Sequence, residues 1–179
     1  NGETMNRRHF LGLALSAAAA PAFAKIQKNK PRILFLRHLH TDETLEVTYR
    51  VGDHYQRDAL HKLNRFLRDF RTGDVTVMDP RLFDLLHDLQ YRAGNPGGEF
   101  EIFSAYRSPR TNAMLRRTSG GVARRSLHIS GKALDIRLNG CANRTIRDSA
   151  IAMHRGGVGY YPRSSFVHLD TGPVRAWRA

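Results

Sequence analysis

The stretch Ser126-Leu127-His128-Ile129-Ser130-Gly131-Lys132-Ala133-Leu134-Asp135-Ile136 constrains this chain more than any other. Its second half reads as a strand from Lys132 to Leu138. A period of two puts Leu134, Ile136 and Leu138 on one face and Ala133, Asp135 and Arg137 on the other. Asp135 then stands on the polar face beside the small Ala133, with room next to it. Gly131 lets the chain turn, so that His128 can approach the same point. Phe166 to Asp170 repeats the pattern: Val167 and Leu169 face inward, while His168 and Asp170 share the other face. Bringing the two strands together gathers His128, Asp135 and His168 around one point, with Asp170 next to it.

Two histidines and an aspartate are ligand types that hold a catalytic zinc and leave one position for water. The residues therefore suggest a metal-dependent hydrolase. Hydrogen-bonded or surface residues on two strands fit the same spacing, and the pattern alone leaves both readings open.

The rest of the chain supplies elements of ordinary length. Arg32 to Leu39 is a compact apolar run, and Thr44 to Val51 alternates, so with the turn His40-Thr41-Asp42-Glu43 they form a hairpin. Gln56 to Phe70 carries Leu60, Leu63, Phe66, Leu67 and Phe70 at helical spacing, and Arg71-Thr72-Gly73 stops it. Pro80 to Arg92 is a second helix, with Asp79 as N-cap and Pro80 at its first position. Phe100 to Ala105 is a strand, and Arg107-Ser108-Pro109 opens a short helix through Arg116. Asn143 to His154 is another helix, ended by Gly156-Gly157. Val158 to Tyr161 and Phe166 to Asp170 close the chain as strands. Nothing repeats and no linker divides it, so one α+β domain with a central, largely antiparallel sheet is expected.

The stretch from about Phe100 to Gly172 also resembles a known family. Ser126-x-His128-x-x-Gly131-x-Ala133-x-Asp135 is similar to the SxHxxGxAxD signature of the M15 zinc peptidases, the D-Ala-D-Ala carboxypeptidase and endopeptidase group, and more closely to its DUF882 branch. Ser104-Ala105-Tyr106-Arg107-Ser108-Pro109 resembles that family's strand-end segment. Gly156-Gly157-Val158-Gly159-Tyr160-Tyr161-Pro162 and Phe166-Val167-His168-Leu169-Asp170-Thr171-Gly172 resemble its closing segments. The resemblance implies zinc as cofactor and a fold shared with the hedgehog signalling domain. It further implies hydrolysis of peptide bonds in the stem or cross-link of peptidoglycan (murein), and so a role in cell-wall remodelling.

Carried over by position, His128, Asp135 and His168 are the zinc ligands. Arg107 binds substrate and stabilises the developing oxyanion, and Ser126 supports the first ligand. The chain departs from the family at Ser165, where many members place a carboxylate base three residues before the last histidine. Asp170 is then the candidate base, or the partner that orients His168. His154 is a further candidate proton carrier, against simple helix-end packing. The loss at Ser165 keeps a rival open: a non-catalytic envelope protein of the same fold that binds peptidoglycan or metal.

The N-terminus reads as an address. Arg7-Arg8-His9-Phe10-Leu11 precedes an uncharged run ending Ala22-Phe23-Ala24, the parts of a secretory signal of twin-arginine type. Residues 1–24 are therefore expected to be a signal, with residues 1–4 ahead of a start at Met5. Residues 25–179 form the peptidase domain, and the destination is the periplasm. The run from Phe10 to Ala24 is short for a bilayer, so no transmembrane segment is expected after cleavage.

The formal charge of +13 calls for an anionic partner. Its Lys and Arg are scattered, and with the export signal this speaks against nucleic acid. It favours peptidoglycan, with the basic loop Gly120 to Arg125 as either a contact or a solvated loop. Tyr160-Tyr161 line a groove or pack within the sheet. His38 and His40 share one face of the first strand, as exposed residues or as a second metal site. Cys141, the sole cysteine, is read as a small buried residue.

Overall fold

The computed structural model describes residues 30–119 and 122–179. The expected export signal, Gly120 and Gly121 lie outside these residues. Strand β1 (Pro31–His38) pairs antiparallel with β2 (Thr44–Val51), setting Leu34 opposite Val47 and Leu36 opposite Leu45. The hairpin predicted from the alternation is present, turned by Asp42 in a left-handed conformation at φ 60°. A short strand β3 (His54–Tyr55), too brief to leave a sequence signal, extends it.

Helix α1 (Arg57–Phe66) buries Ala59, Leu63 and Phe66, and is shorter than its apolar spacing predicts. The chain leaves the helix at Leu67 because Asp69 is drawn inward. Its carboxylate accepts the Arg71 N–H at 3.0 Å and the Ser108 N–H at 2.9 Å. Phe70 is thereby turned out of the helical stripe and stacks on His40, ring centroids 4.1 Å apart. Helix α2 (Arg81–Arg92) starts one residue later than expected, with Pro80 as its N-cap, and the Asp79 carboxylate accepts the Arg81 N–H at 3.0 Å.

Next come β4 (Glu99–Ser104) and α3 (Pro109–Thr118), whose N-cap Ser108 accepts the Thr111 N–H at 3.2 Å. A 3-10 turn (Leu127–Ser130) leads into β5 (Ala133–Leu138). Helix α4 (Asn143–Met153) ends on the exposed His154 at φ 51°. Strands β6 (Gly157–Tyr161), β7 (Phe166–Asp170) and β8 (Arg175–Arg178) finish the fold.

The eight strands form one sheet in the order β3-β2-β1-β4-β5-β7-β6-β8. Only β1–β4 and β6–β8 are parallel pairs; the sheet is mixed and mostly antiparallel, as expected for this α+β fold. Helix α1 packs on β2, α2 on β1 and β5, and α4 on β5, β6 and β7. Between helices and sheet lies one apolar core that includes Leu34, Leu36, Leu63, Leu86, Ile102, Leu134, Ile136, Val167 and Leu169. Burying these chains, at roughly 1.5–3 kcal/mol each, pins the sheet's inner face. The outer face of β5 and β7 is thereby committed to Asp135, His168 and Asp170.

His38 departs from the expectation of an exposed strand residue. It is 1% exposed, packed against Phe66 and Phe70. Its Nδ1 accepts the His40 N–H at 3.2 Å, and its Nε2 has no partner among the described residues. Among the described residues no group suited to a metal includes it. Cys141 is half-buried, with Sγ 3.7 Å from the Ala93 carbonyl.

Burial, aided by the nearby His40 and Arg68, pushes the His38 pKa down from 6.5 to about 4. The unfolded chain therefore takes up this proton first as pH falls, and stability is lost between those two values. The expected loss attributable to His38 is up to about 3 kcal/mol. Urea melts of the wild type and His38→Gln at pH 7 and pH 4.5 check this: the variant must show the smaller loss.

Candidate metal centre

One row of residues crosses five strands. Ser104, Asp135, His168, Gly159 and Trp177 lie side by side on β4, β5, β7, β6 and β8. An irregularity between Ile102 and Ser104 shifts β4 so that Ser104 falls opposite Asp135. Gly159 is required where it stands, because a Cβ there would lie 2.5 Å from the Trp177 ring. The indole consequently reaches across to His168, ring centroids 5.2 Å apart, and its Nε1–H donates to the Tyr161 hydroxyl at 3.0 Å.

His128 enters from the 3-10 turn. Ser126 accepts the His128 N–H at 3.4 Å, a local support of the kind expected for it. Gly131 ends the turn at φ 66°, and a Cβ there would lie 2.5 Å from the Val77 carbonyl oxygen. No other residue meets both demands without strain.

The three donor atoms then converge. His128 Nε2 is 3.2 Å from His168 Nδ1, and Asp135 Oδ1 is 3.2 Å and 2.8 Å from those nitrogens. All three residues are buried. Their outer atoms are already committed. His128 Nδ1 lies 2.6 Å from the Ala105 carbonyl, which can only accept, so the proton is on Nδ1. His168 Nε2 lies 3.1 Å from the Asp170 carboxylate and carries the other ring proton. In the neutral rings two lone pairs and a carboxylate oxygen therefore face one another, an arrangement that repels without a shared cation.

The donor set fits a divalent metal such as Zn2+. Tetrahedral coordination at bonds of about 2.0–2.1 Å separates the donors by roughly 3.3 Å. Donation of the outer ring N–H to a carbonyl and to a carboxylate is the support that metal-binding histidines require.

Burial pushes the His128 pKa down and keeps the ring neutral, outweighing the pull of Asp135. Burial opposes ionisation of Asp135, but His128 and His168 overcome it and hold the carboxylate below its usual range. Burial would also lower His168; its bonds to Asp135 and Asp170 raise it instead.

Asp170 is fully buried behind His168. Five N–H donors surround its carboxylate: the Gly157 and Gly172 amides at 3.0 and 2.8 Å, Arg175 at 3.0 and 2.6 Å, and His168 at 3.1 Å. Arg175 lies on the unpredicted strand β8; its only sequence trace is the short alternation Arg175-Ala176-Trp177-Arg178. Arg107 stands on the other side of the cluster. It donates through Nη2 to Asp135 and through Nε to the Ser104 hydroxyl at 2.7 Å. Its backbone N–H donates to the His128 carbonyl at 3.3 Å.

The family profile described as peptidoglycan L,D-endopeptidase MepK matches residues 26–177. The chain belongs to this family. It is 46% identical over 177 residues to the peptidoglycan L,D-endopeptidase MepK of Escherichia coli K12, covering 96% of this chain and 97% of that protein. The same values hold for MepK of Shigella flexneri. The probable MepK of Haemophilus influenzae is 42% identical over 178 residues, covering 97% of this chain and 96% of that protein. No solved structure matches the chain.

The structure thus brings His128, Asp135 and His168 together, with Arg107 and Asp170 adjoining. Ser165 lies on the exposed β6–β7 turn at φ 59°, its hydroxyl 3.5 Å from Asn143 Nδ2. His154 stays apart from the cluster as an exposed helix cap. Tyr160 is buried and Tyr161 stacks on Phe166, so both pack within the sheet.

Zinc titrated into the metal-free protein is expected to bind at one site. At 100 times its Kd it should add about 2.7 kcal/mol to stability. Asp135→Ala should abolish that gain, and Asp170→Asn should weaken binding about 10–100-fold. Calorimetric titration and thermal melts with and without zinc check both.

Proposed function

We infer that this chain is a zinc-dependent peptidoglycan endopeptidase of the cell envelope. The observation that carries the reading is the buried convergence of His128 Nε2, Asp135 Oδ1 and His168 Nδ1, with both outer ring protons held and Arg107 alongside. The relatives' name supports an L,D peptide bond of peptidoglycan as the target.

His128, Asp135 and His168 would hold the zinc, which would supply Lewis acidity and a water-derived nucleophile near neutral pH. Ser104 holds Arg107 by its Nε, leaving the guanidinium at the edge of the cluster to take the oxygen of the scissile amide as charge develops on it. Asp170 keeps His168 in one tautomer and one orientation. Five donors already occupy its carboxylate, and burial notwithstanding, His168 and Arg175 hold its pKa far below the usual range. We therefore assign Asp170 to positioning His168 rather than to accepting a proton. Trp177 lies against the flank of His168.

Purified sacculi treated with the protein should lose cross-linked muropeptides in the presence of zinc and keep them with chelator. Arg107→Lys should lower the rate about 10²–10³-fold while zinc still binds. Mass spectrometry of the muropeptides names the bond. Unchanged muropeptides with a zinc-loaded, folded protein overturn the enzyme and leave the binding-protein reading.

We also assign residues 1–24 as a twin-arginine export signal and the periplasm as destination, on the Arg7-Arg8 pair and the apolar run after it. No helix among the described residues is long and apolar enough to cross a membrane. Replacing Arg7 and Arg8 by Lys should leave the protein in the cytoplasmic fraction; unchanged export overturns this route.

A further inference from the structure

Two grooves among the described residues are lined by several arginines. The larger, of about 870 Å³, contains Arg32, Arg50 and Arg155, but their charges are spent. Arg32 pairs with Asp84 and Asp88, Arg50 with Asp84 and Asp53, and Arg155 with Asp88. The smaller groove, of about 530 Å³, is different. It lies between the turn after α1 and helix α3, and is lined by Arg71, Thr72, Arg110, Thr111, Met114 and Arg117. It has three arginines and no carboxylate in its lining. None of the three makes an ion pair among the described residues.

This groove is tied to the segment that carries Arg107. Buried Asp69 ties its two walls together, accepting the Arg71 N–H on one side and, on the other, the N–H of Ser108, the residue after Arg107. The Tyr106 N–H donates to the Leu67 carbonyl at 3.1 Å, adding a second tie. Arg71 is fixed over the Phe70 ring, its guanidinium carbon 4.1 Å from the centroid. Partial burial lowers the Arg71 pKa, Asp69 opposes this, and the Arg107 charge lowers it further, so the two guanidiniums act on one another. Arg110, Met114 and Arg117 follow one another at helical spacing on one side of α3. Arg110 and Arg117 are seven residues apart, about 10 Å along the axis. An extended peptide covers that length in about three residues.

We propose that this groove is the subsite for free carboxylates on the stem peptide of the substrate, seated on Arg71, Arg110 and Arg117 while the scissile amide lies at Arg107. The inference rests on the peptidoglycan reading above. Peptidoglycan stems carry carboxylates outside the amide linkages, and guanidinium forks match them in shape and charge. The groove selects and registers the peptide; the metal centre cuts it.

Equilibrium binding tests this apart from catalysis. The zinc-loaded protein is titrated with a cross-linked muropeptide whose scissile amide is replaced by a ketomethylene group, and with the same molecule after amidation of its free carboxylates. The wild type should bind the carboxylate form about tenfold or more tightly than the amidated form, a difference set by charge-assisted hydrogen bonds. Arg71→Gln with Arg117→Gln should erase that preference with an unchanged melting temperature. Arg57→Gln with Arg92→Gln, which removes equal charge elsewhere, should keep it. Equal binding of both forms by the wild type, a preference retained without Arg71 and Arg117, or an equal loss in the control pair overturns the subsite. Absence of sacculus cleavage with the preference intact overturns the peptidase reading alone.

Discussion

The pairing of β5 with β7 is the constraint on which the rest depends. Asp135 stands directly opposite His168, and Ala133 opposite Asp170. A slip of one residue would turn His168 and Asp170 into the core and Val167 and Leu169 out of it. The cost of exposing those buried chains, together with Leu134 and Ile136, holds the register. The apolar core thus positions the metal centre without touching it.

Around that register the site is assembled from groups that each satisfy a second group. The Ala105 carbonyl holds His128, Asp170 holds His168, Arg175 and two amides hold Asp170, and Ser104 holds Arg107. Because the outer atoms are occupied, the inner three have nothing left to face but one another. A buried cluster of that kind is costly in isolation and is relieved by a shared cation. The same donors around Asp170 support the proposed role of orienting His168 over that of base.

Much of this was legible beforehand, for physical reasons. The α+β architecture follows from strands of period two and helices of period 3.6, and the metal cluster from two strands that each put their polar residues on the non-core face. What stayed hidden is non-local. Phe70 belongs to the helical stripe by spacing, yet Asp69 ends the helix to bind Ser108, thirty-nine residues on. His38 looks like an exposed strand residue, yet α1 and the turn after it cover it. Strand β8 is four residues long, so Arg175 and Trp177 carry almost no local signal, although one anchors Asp170 and the other covers His168.

The amino-acid sequence by itself determined which residue types are available and on which face of each element they lie, because side-chain alternation is a local property of the backbone. It set Asp135 and His168 on the non-core faces of their strands and placed Gly131 where the chain turns after His128. Tertiary structure alone decided the parallel pairing of β1 with β4, the bulge that sets Ser104 opposite Asp135, and the enclosure of Asp170. It also decided which arginines are paired and which face an empty groove. Those outcomes depend on contacts between residues far apart in the chain, where packing and charge neutralisation choose among arrangements that local pattern permits equally.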